Sequence, residues 1–336
     1  MIAARPEQRA ALPAELRGLR RDGARLCVVD RWAGSITHTT VARIGEHLEA
    51  GTLLVVNSSR TLPAALRVRR SDGTDVQVRP AVRRGGRWDA LAVEALPPHR
   101  NVQLRSGEIL RADSGLCLRV IGQRVDARLL WHMALESGDE LETLLRDGEP
   151  IRYSYVPNPV ALEHYQTVFA RAPGSVETPS AGRHLTWELL TSLRSQGVGL
   201  ADIVLHCSIS SLQDDDVDAR KPLIEEWFDV SEVAARAVNA AARVVAVGTS
   251  VVRALESSVD AEGTVRARRG WTNLAITPDS DIRSVEGLLS GLHEPPATHL
   301  DMLHAFVESP LLERAYQEAR DRGYLWHEFG DAMLIL

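Results

Sequence analysis

Three stretches of this chain combine small, stiff backbone with residues that can move protons or hold charge. Residues 168–186 read VFARAPGSVETPSAGRHLT. The small residues and prolines let backbone N–H groups approach a ligand, with Ser180 and His184 as side-chain donors. A helix predicted to start near Thr186 and Trp187 adds the partial positive charge of its N-terminus, which suits an anionic group. Residues 244–257 read VVAVGTSVVRALES, a buried strand that passes through Gly248, Thr249 and Ser250 straight into a helix. In open α/β sheets such a turn lies at the carboxyl edge of the strands, where ligands bind. Arg253, one turn along, has the fork geometry to clamp a carboxylate; the plainer reading is a surface arginine. Residues 293–298, HEPPAT, hold His293 on a stiff loop, with Asp301 and His304 beyond. A lone histidine is more often structural than catalytic.

Standard motifs are otherwise scarce. No GxGxxG, P-loop, GxSxG or HExxH occurs, so dinucleotide, P-loop and serine-hydrolase readings have no sequence support. Asp214, Asp216, Asp218 and Glu225 imitate EF-hand spacing, but Ala219 stands where the sharp turn needs glycine and Pro222 falls at the ninth position. A solvated acidic loop is the expectation there, and no metal.

The elements that must position these residues fall into two textures. Residues 26–30 and 52–57 are short β-branched runs, separated by an amphipathic helix predicted over 41–50 and ending at Gly51. From 66 to 125, short alternating pieces such as LRVRR, DVQVRP and LCLRVIG are punctuated by Gly, Asp, Asn and Pro, which reads as a small all-β module. After Trp131 helix and strand alternate. Helices are predicted at 139–146, 187–195, 230–242, 251–257, 300–307 and 311–322, and strands at 203–206, 244–248 and 274–276. Alternation implies a mainly parallel sheet covered by helices. The predicted fold is α/β with two domains: a barrel-like α/β body from residues 1–61 and 151–336, and an inserted β-barrel-like module from 62–150.

With 336 residues, 44% hydrophobic and 25% charged, the chain is neither disordered nor fibrous, and it has no apolar run of membrane-spanning length. Its three cysteines are widely spaced and the N-terminus lacks the apolar segment of a secretory signal, so a reducing cytoplasm is the expected compartment. Charge is uneven. Residues 1–130 carry 22 arginines against 13 acids, and residues 131–336 carry 17 bases against 32 acids. That asymmetry fits a nucleic-acid-facing basic end, or two domains attracted to one another. Arg67, Arg69, Arg70, Arg83, Arg84 and Arg87 are expected to face solvent.

Taken together, LLVVNSSRTLPAAL at 53–66, YQTVFARAPGSVETPSAGRHLT at 165–186, LH at 205–206 and EWFDV at 226–230 resemble the S-adenosylmethionine:tRNA ribosyltransferase-isomerases of queuosine biosynthesis. The likeness continues through VVAVGTSVVRALES at 244–257, LHEPPATHLDMLHAF at 292–306 and GDAMLI at 330–335. The resemblance implies S-adenosylmethionine as a ribosyl donor. A base removes a proton from ribose C5′, acidified by the sulfonium; adenine and methionine leave; the isomerised sugar reaches the aminomethyl group of 7-aminomethyl-7-deazaguanine in tRNA. It also implies a polar set comprising Asn57, Arg60, His184, His206, Glu226, Thr249, Arg253, Glu256, His293, Thr298 and Asp331. Within that set His184 and His293 are the candidates for proton transfer, since histidine titrates near neutrality. Thr249 with Arg253 is the candidate carboxylate clamp.

Several positions depart from the family pattern. Leu185 follows His184 where the family has Phe, Ile224 stands where it has His, TPDS at 277–280 lacks two aromatics, and LWHE at 325–328 replaces Arg-Phe-Phe-Ser. These changes leave three readings of function: the family reaction on tRNA, a diverged paralogue using S-adenosylmethionine with a small-molecule acceptor, and a non-catalytic binding protein that kept the fold. None of the three calls for a membrane.

Overall fold

The computed structural model describes residues 4–212, 224–294 and 298–336, the side chain of residue 298 excepted. The acidic EF-hand-like run therefore lies largely outside the described residues. In chain order the strands are β1 (Arg25–Asp30), β2 (Ser35–Thr40), β3 (Thr52–Asn57), β4 (Ser59–Thr61), β5 (Ala65–Arg69) and β6 (Asp75–Arg84). Then come β7 (Arg87–Glu94), β8 (Ile109–Arg111), β9 (Cys117–Gln123), β10 (Leu130–Ser137), β11 (Gly148–Glu149) and β12 (Ala172–Ser175). Last are β13 (Gly199–Leu205), β14 (Glu226–Val230), β15 (Arg243–Val247), β16 (Arg268–Thr272), β17 (Gly287–Gly291) and β18 (Ala332–Ile335).

The body is a nine-stranded sheet in the order β16-β14-β13-β3-β15-β17-β18-β1-β2. Its centre, β13, β3, β15 and β17, is parallel. β18 runs against β17, and β1 runs with β18. Strand alternation divides the apolar residues between two cores. Leu53, Val55, Val244 and Ala246 face one layer of helices, whereas Leu54, Val56, Val245 and Val247 face the other. Burial on both faces is why these strands read as continuous apolar runs.

The module is a closed barrel. Its strands follow β5-β6-β7-β10-β9-β8, and β8 returns to β5 through Arg69 and Arg111. Val68, Val78, Trp88, Ala92, Leu118 and Met133 fill its interior, whereas Leu91 and Val93 share the outer face with Arg79 and Gln77. The helix Glu140–Asp147, capped by Asp139, packs against the barrel, and the Trp88 indole donates to Glu140 Oε2 at 2.7 Å.

Body and barrel are joined by polar and apolar contacts. Arg83 Nη2 donates to the Gly174 carbonyl at 2.9 Å and Ser208 Oγ to the Ala81 carbonyl at 2.7 Å. Ile209, Leu212 and Ile224 are buried with the barrel's core residues. Two of the expected solvent-facing arginines are therefore otherwise engaged: Arg83 pairs with Glu140 as well as Gly174, and Arg70 pairs with Glu108. Arg67, Arg69, Arg84 and Arg87 are exposed.

Three element readings need correction. The segment predicted as an amphipathic helix at 41–50 is the 3-10 helix Val41–His47. No strand forms at 274–276; the edge strand is β16, which pairs with β14. The helix predicted from 251 begins at Thr249, immediately after Gly248, whose φ of +97° only glycine adopts readily.

Candidate active site at the carboxyl edge

Because β3, β13, β15 and β17 are parallel, their carboxyl ends bring Asn57, His206, Gly248 and His293 to one edge of the body. β18 runs the opposite way, so Asp331 arrives at that edge from its amino end. Asn57 is buried and fully engaged. Its Nδ2 donates to the Leu205 carbonyl at 2.8 Å and to Ser250 Oγ at 3.2 Å; its Oδ1 accepts from the amides of Ser59 and Leu205, both at 3.0 Å. It fastens three elements rather than offering a free amide.

His206 is half-buried at the edge that meets the barrel. Its Nδ1 lies 2.8 Å from Ser59 Oγ, which is 2.6 Å from Ser175 Oγ. The ring stacks on Trp227 at 5.1 Å and rests directly over Gly174, where any Cβ would collide with it. Nε2 has no hydrogen-bond partner among the described residues. Burial, and secondarily Arg83, pulls its pKa down to about 4, so the imidazole is neutral at physiological pH.

Glu226 and Arg253 form a buried ion pair. Glu226 Oε1 accepts from the Ser208 amide at 2.7 Å, and Arg253 Nε donates to the Leu274 carbonyl at 3.0 Å. Arg253 is thus held inside the scaffold by Glu226 and backbone, not presented as an open clamp. Glu256 accepts from the Ser284 amide and hydroxyl and the Arg283 amide, fixing the following loop. Cys207 is no nucleophile here: burial, then Glu226, pushes its thiol far up.

His184 ends the 3-10 helix Ser180–His184 and is 4% exposed. Burial first, then Arg183, lowers it to about 4. The run before it packs closely: Ala181 lies against Gly248, Gly182 against Phe169, and Arg183 pairs with Glu15 under the Phe329 ring. Thr186, not His184, caps the helix Trp187–Ser195. Ser180 is half-buried and Thr249 half-buried at the start of its helix. Asp331 accepts from the Arg25 amide and guanidinium and from the Leu325 amide, locking the last turn to β1. His293 folds over Gly291 and stacks on His299 at 4.6 Å; burial, then the neighbouring histidines, lowers its pKa well below normal. Arg60 projects into solvent from β4. The side chain of Thr298 lies outside the described residues.

Other residues at the seam between body and barrel escaped sequence reasoning. Tyr153 stacks on Tyr155 at 5.6 Å, and Tyr155 on His327 at 4.7 Å. The Tyr153 hydroxyl donates to Glu177 Oε2 at 3.5 Å, and Glu177 Oε1 accepts from the Ser210 amide at 2.9 Å. Glu328 has a sealed Oε2 without a partner, and burial pushes its carboxyl up to about 7. The only signal for this group was the departure at 325–328; tyrosines two apart after a barrel carry none. No cluster of metal-ligating side chains occurs among the described residues, nor any helix long and apolar enough to cross a membrane.

The comparisons agree over the full chain. A sequence model described as queuosine biosynthesis protein matches residues 3–335. The S-adenosylmethionine:tRNA ribosyltransferase-isomerase of Rubrobacter xylanophilus is 36% identical, covering 97% of this chain and 95% of that protein. The enzyme of the same name from Thermus thermophilus is 37% identical over 94% and 93%. The crystal structure of S-adenosylmethionine tRNA ribosyltransferase from Thermotoga maritima superposes with a TM-score of 0.56 at 28% identity, covering 100% of this chain and 99% of that one. An inserted six-stranded barrel, a parallel carboxyl edge carrying the matched segments, and identity of this extent converge on one statement: the chain belongs to the queuosine biosynthesis protein family.

Proposed function

We propose that this protein is an S-adenosylmethionine:tRNA ribosyltransferase-isomerase whose donor site lies at the carboxyl edge, against the barrel. The observation that carries the reading is near-full-length identity of 36–37% to proteins of that name, with the matched segments assembled on one edge. S-adenosylmethionine is the ribosyl donor, and adenine and methionine are released.

In this reading proton transfer belongs to His206 ahead of His184 and His293. His206 alone of the three has a hydroxyl partner on Nδ1, with an Nε2 that has no hydrogen-bond partner among the described residues. A neutral imidazole is the base-competent form. His184 and His293, packed among their neighbours, shape the edge behind it. Glu226 and Arg253 hold β14, the Ser208 loop and the helix Thr249–Glu256 in one arrangement, and the first turn of that helix directs positive partial charge toward the donor. The exposed arginines of the barrel, with Arg60, face the polyanionic acceptor.

Ile224 supported a changed acceptor when read in sequence. Its burial with barrel core residues makes it a packing position, so tRNA is the acceptor favoured here. The test is to incubate the protein with S-adenosylmethionine and tRNA bearing 7-aminomethyl-7-deazaguanine. Adenine and methionine should appear in equal amounts with the modified nucleoside, and tRNA affinity should fall steeply with salt. Turnover that ignores tRNA points to a small-molecule acceptor; absence of adenine release under all conditions refutes the enzyme reading.

A further inference from the structure

Arg79 lies on β6 and is 2% exposed, yet no carboxylate comes within ion-pair distance of it among the described residues. Its Nε donates to Gln77 Oε1 at 2.7 Å; its two terminal nitrogens have no hydrogen-bond partner among the described residues. A buried guanidinium left this way is costly, and natural interiors pair such charges or use them on a ligand. Burial lowers its pKa to about 10, with Glu177 as the largest opposing influence and Arg152 adding to the depression. Even so, Arg79 stays cationic at physiological pH.

The residue is on the outer surface of the barrel wall, next to Gln77 and out of phase with Val76 and Val78, which fill the barrel. The body meets this strand through Ser208, whose Oγ donates to the Ala81 carbonyl. Arg79 is two residues from Ala81 on β6, and Ser208 is two residues from His206, so this cation lies on the part of the wall that meets the candidate site. Complementary to it is a small carboxylate.

We infer that Arg79 binds the carboxylate of the donor's amino-acid end, so that the barrel supplies part of the donor site. The inference rests on the proposed function and places the carboxylate on the barrel, where sequence alone placed it on Arg253. A polynucleotide phosphate fits less well. The depth of Arg79 admits an end group rather than a continuing backbone.

The test is calorimetry with S-adenosylhomocysteine, its decarboxylated form (S-adenosyl-3-thiopropylamine) and 5′-methylthioadenosine, on wild-type protein and Arg79→Gln. Wild type should bind S-adenosylhomocysteine about 10- to 100-fold more tightly than the decarboxylated form, the range of a charged hydrogen-bonded contact. Arg79→Gln should lose that discrimination while keeping its affinity for methylthioadenosine. Its melting temperature should equal or exceed wild type, because an unpaired buried charge has gone. Undiminished discrimination in Arg79→Gln overturns the inference, as does a loss confined to tRNA binding. If that variant does not fold, the wild-type series decides: equal affinity with and without the carboxylate overturns it. Wild type that binds none of the three nucleosides refutes the proposed function itself, a result distinguishable from failure of Arg79 alone.

Discussion

Replacing Gly174 by alanine should disable the enzyme through one atom. The backbone of β12 is extended at this position, so alanine meets no conformational penalty; only the His206 ring stands in its way. An added Cβ would fall inside contact distance of three ring atoms, and restoring an ordinary separation of about 3.5 Å requires the ring to retreat by about 1 Å. The Nδ1 to Ser59 bond, now 2.8 Å, then opens beyond hydrogen-bond range, and the ring slides off Trp227. Losing that bond costs about 0.5–1.5 kcal/mol and losing the stack a similar amount. For a chain of this length, with an unfolding entropy of about 0.7 kcal/mol/K, the melting temperature should fall by about 1.5–4 °C. A misplacement of about 1 Å at a proton-transfer group costs roughly 10²-fold in rate. Adenine release measured by liquid chromatography under saturating S-adenosylmethionine and tRNA reads the rate; calorimetric melting reads the stability. A fall in melting temperature with wild-type turnover would remove His206 from the chemistry. An unchanged melting temperature would show that the ring moves freely, and the steric argument itself would be wrong.

Glu226→Gln should destabilise the protein by about 3–5 kcal/mol by stranding Arg253, and Glu226→Gln with Arg253→Met should recover most of that loss in denaturant titrations. His184 and His206 both hold off protonation to about pH 4, whereas unfolded histidine titrates near 6.5. The unfolded state binds more protons between those values, so stability should fall as pH drops from about 6.5 to 4, by up to about 1.4 kcal/mol per unit for each histidine; His184→Phe should flatten the profile in pH-resolved melts. Glu328 has the opposite sign. Its folded carboxyl keeps a proton to about pH 7, so the wild type loses stability as pH rises from about 4.5 to 7; Glu328→Gln should melt higher than wild type at pH 8, with the gain gone at pH 4.

Much of the fold was legible because its signals are local. Alternation and turn residues announced the barrel, and TLLVVN and VVAVG announced buried parallel strands. The Val41–His47 segment was missed because its apolar residues, Val41 and Ile44, satisfy a 3-10 turn as readily as an α-helix. β16, RRGWT, was missed because its pattern is polar; pairing with β14 makes it a strand, which is a tertiary event. Site residues divided in the same way. Sequence named nearly all the groups at the carboxyl edge but not their state: that Arg253 is occupied by Glu226, that His184 is enclosed, and that Arg79 is alone depend on contacts between residues far apart. A run of scattered arginines gave no means of singling out the one beneath the body.

The barrel interrupts the body, and that has a consequence during synthesis. Barrel strands from β5 to β11 are contiguous, so this unit can close as soon as it leaves the ribosome. β3 cannot. Asn57 closes its hydrogen bonds with Leu205, 148 residues later, and with Ser250, 193 residues later. At translation rates of roughly 5–20 residues per second, TLLVVN waits about 7–30 s for the first of these partners. During that interval a largely apolar strand with both edges unpaired is available to any other nascent chain. Soluble yield of this protein should therefore respond to elongation rate and to trigger-factor-like holdases far more than the stability of the finished body suggests, and the barrel alone should show no such dependence.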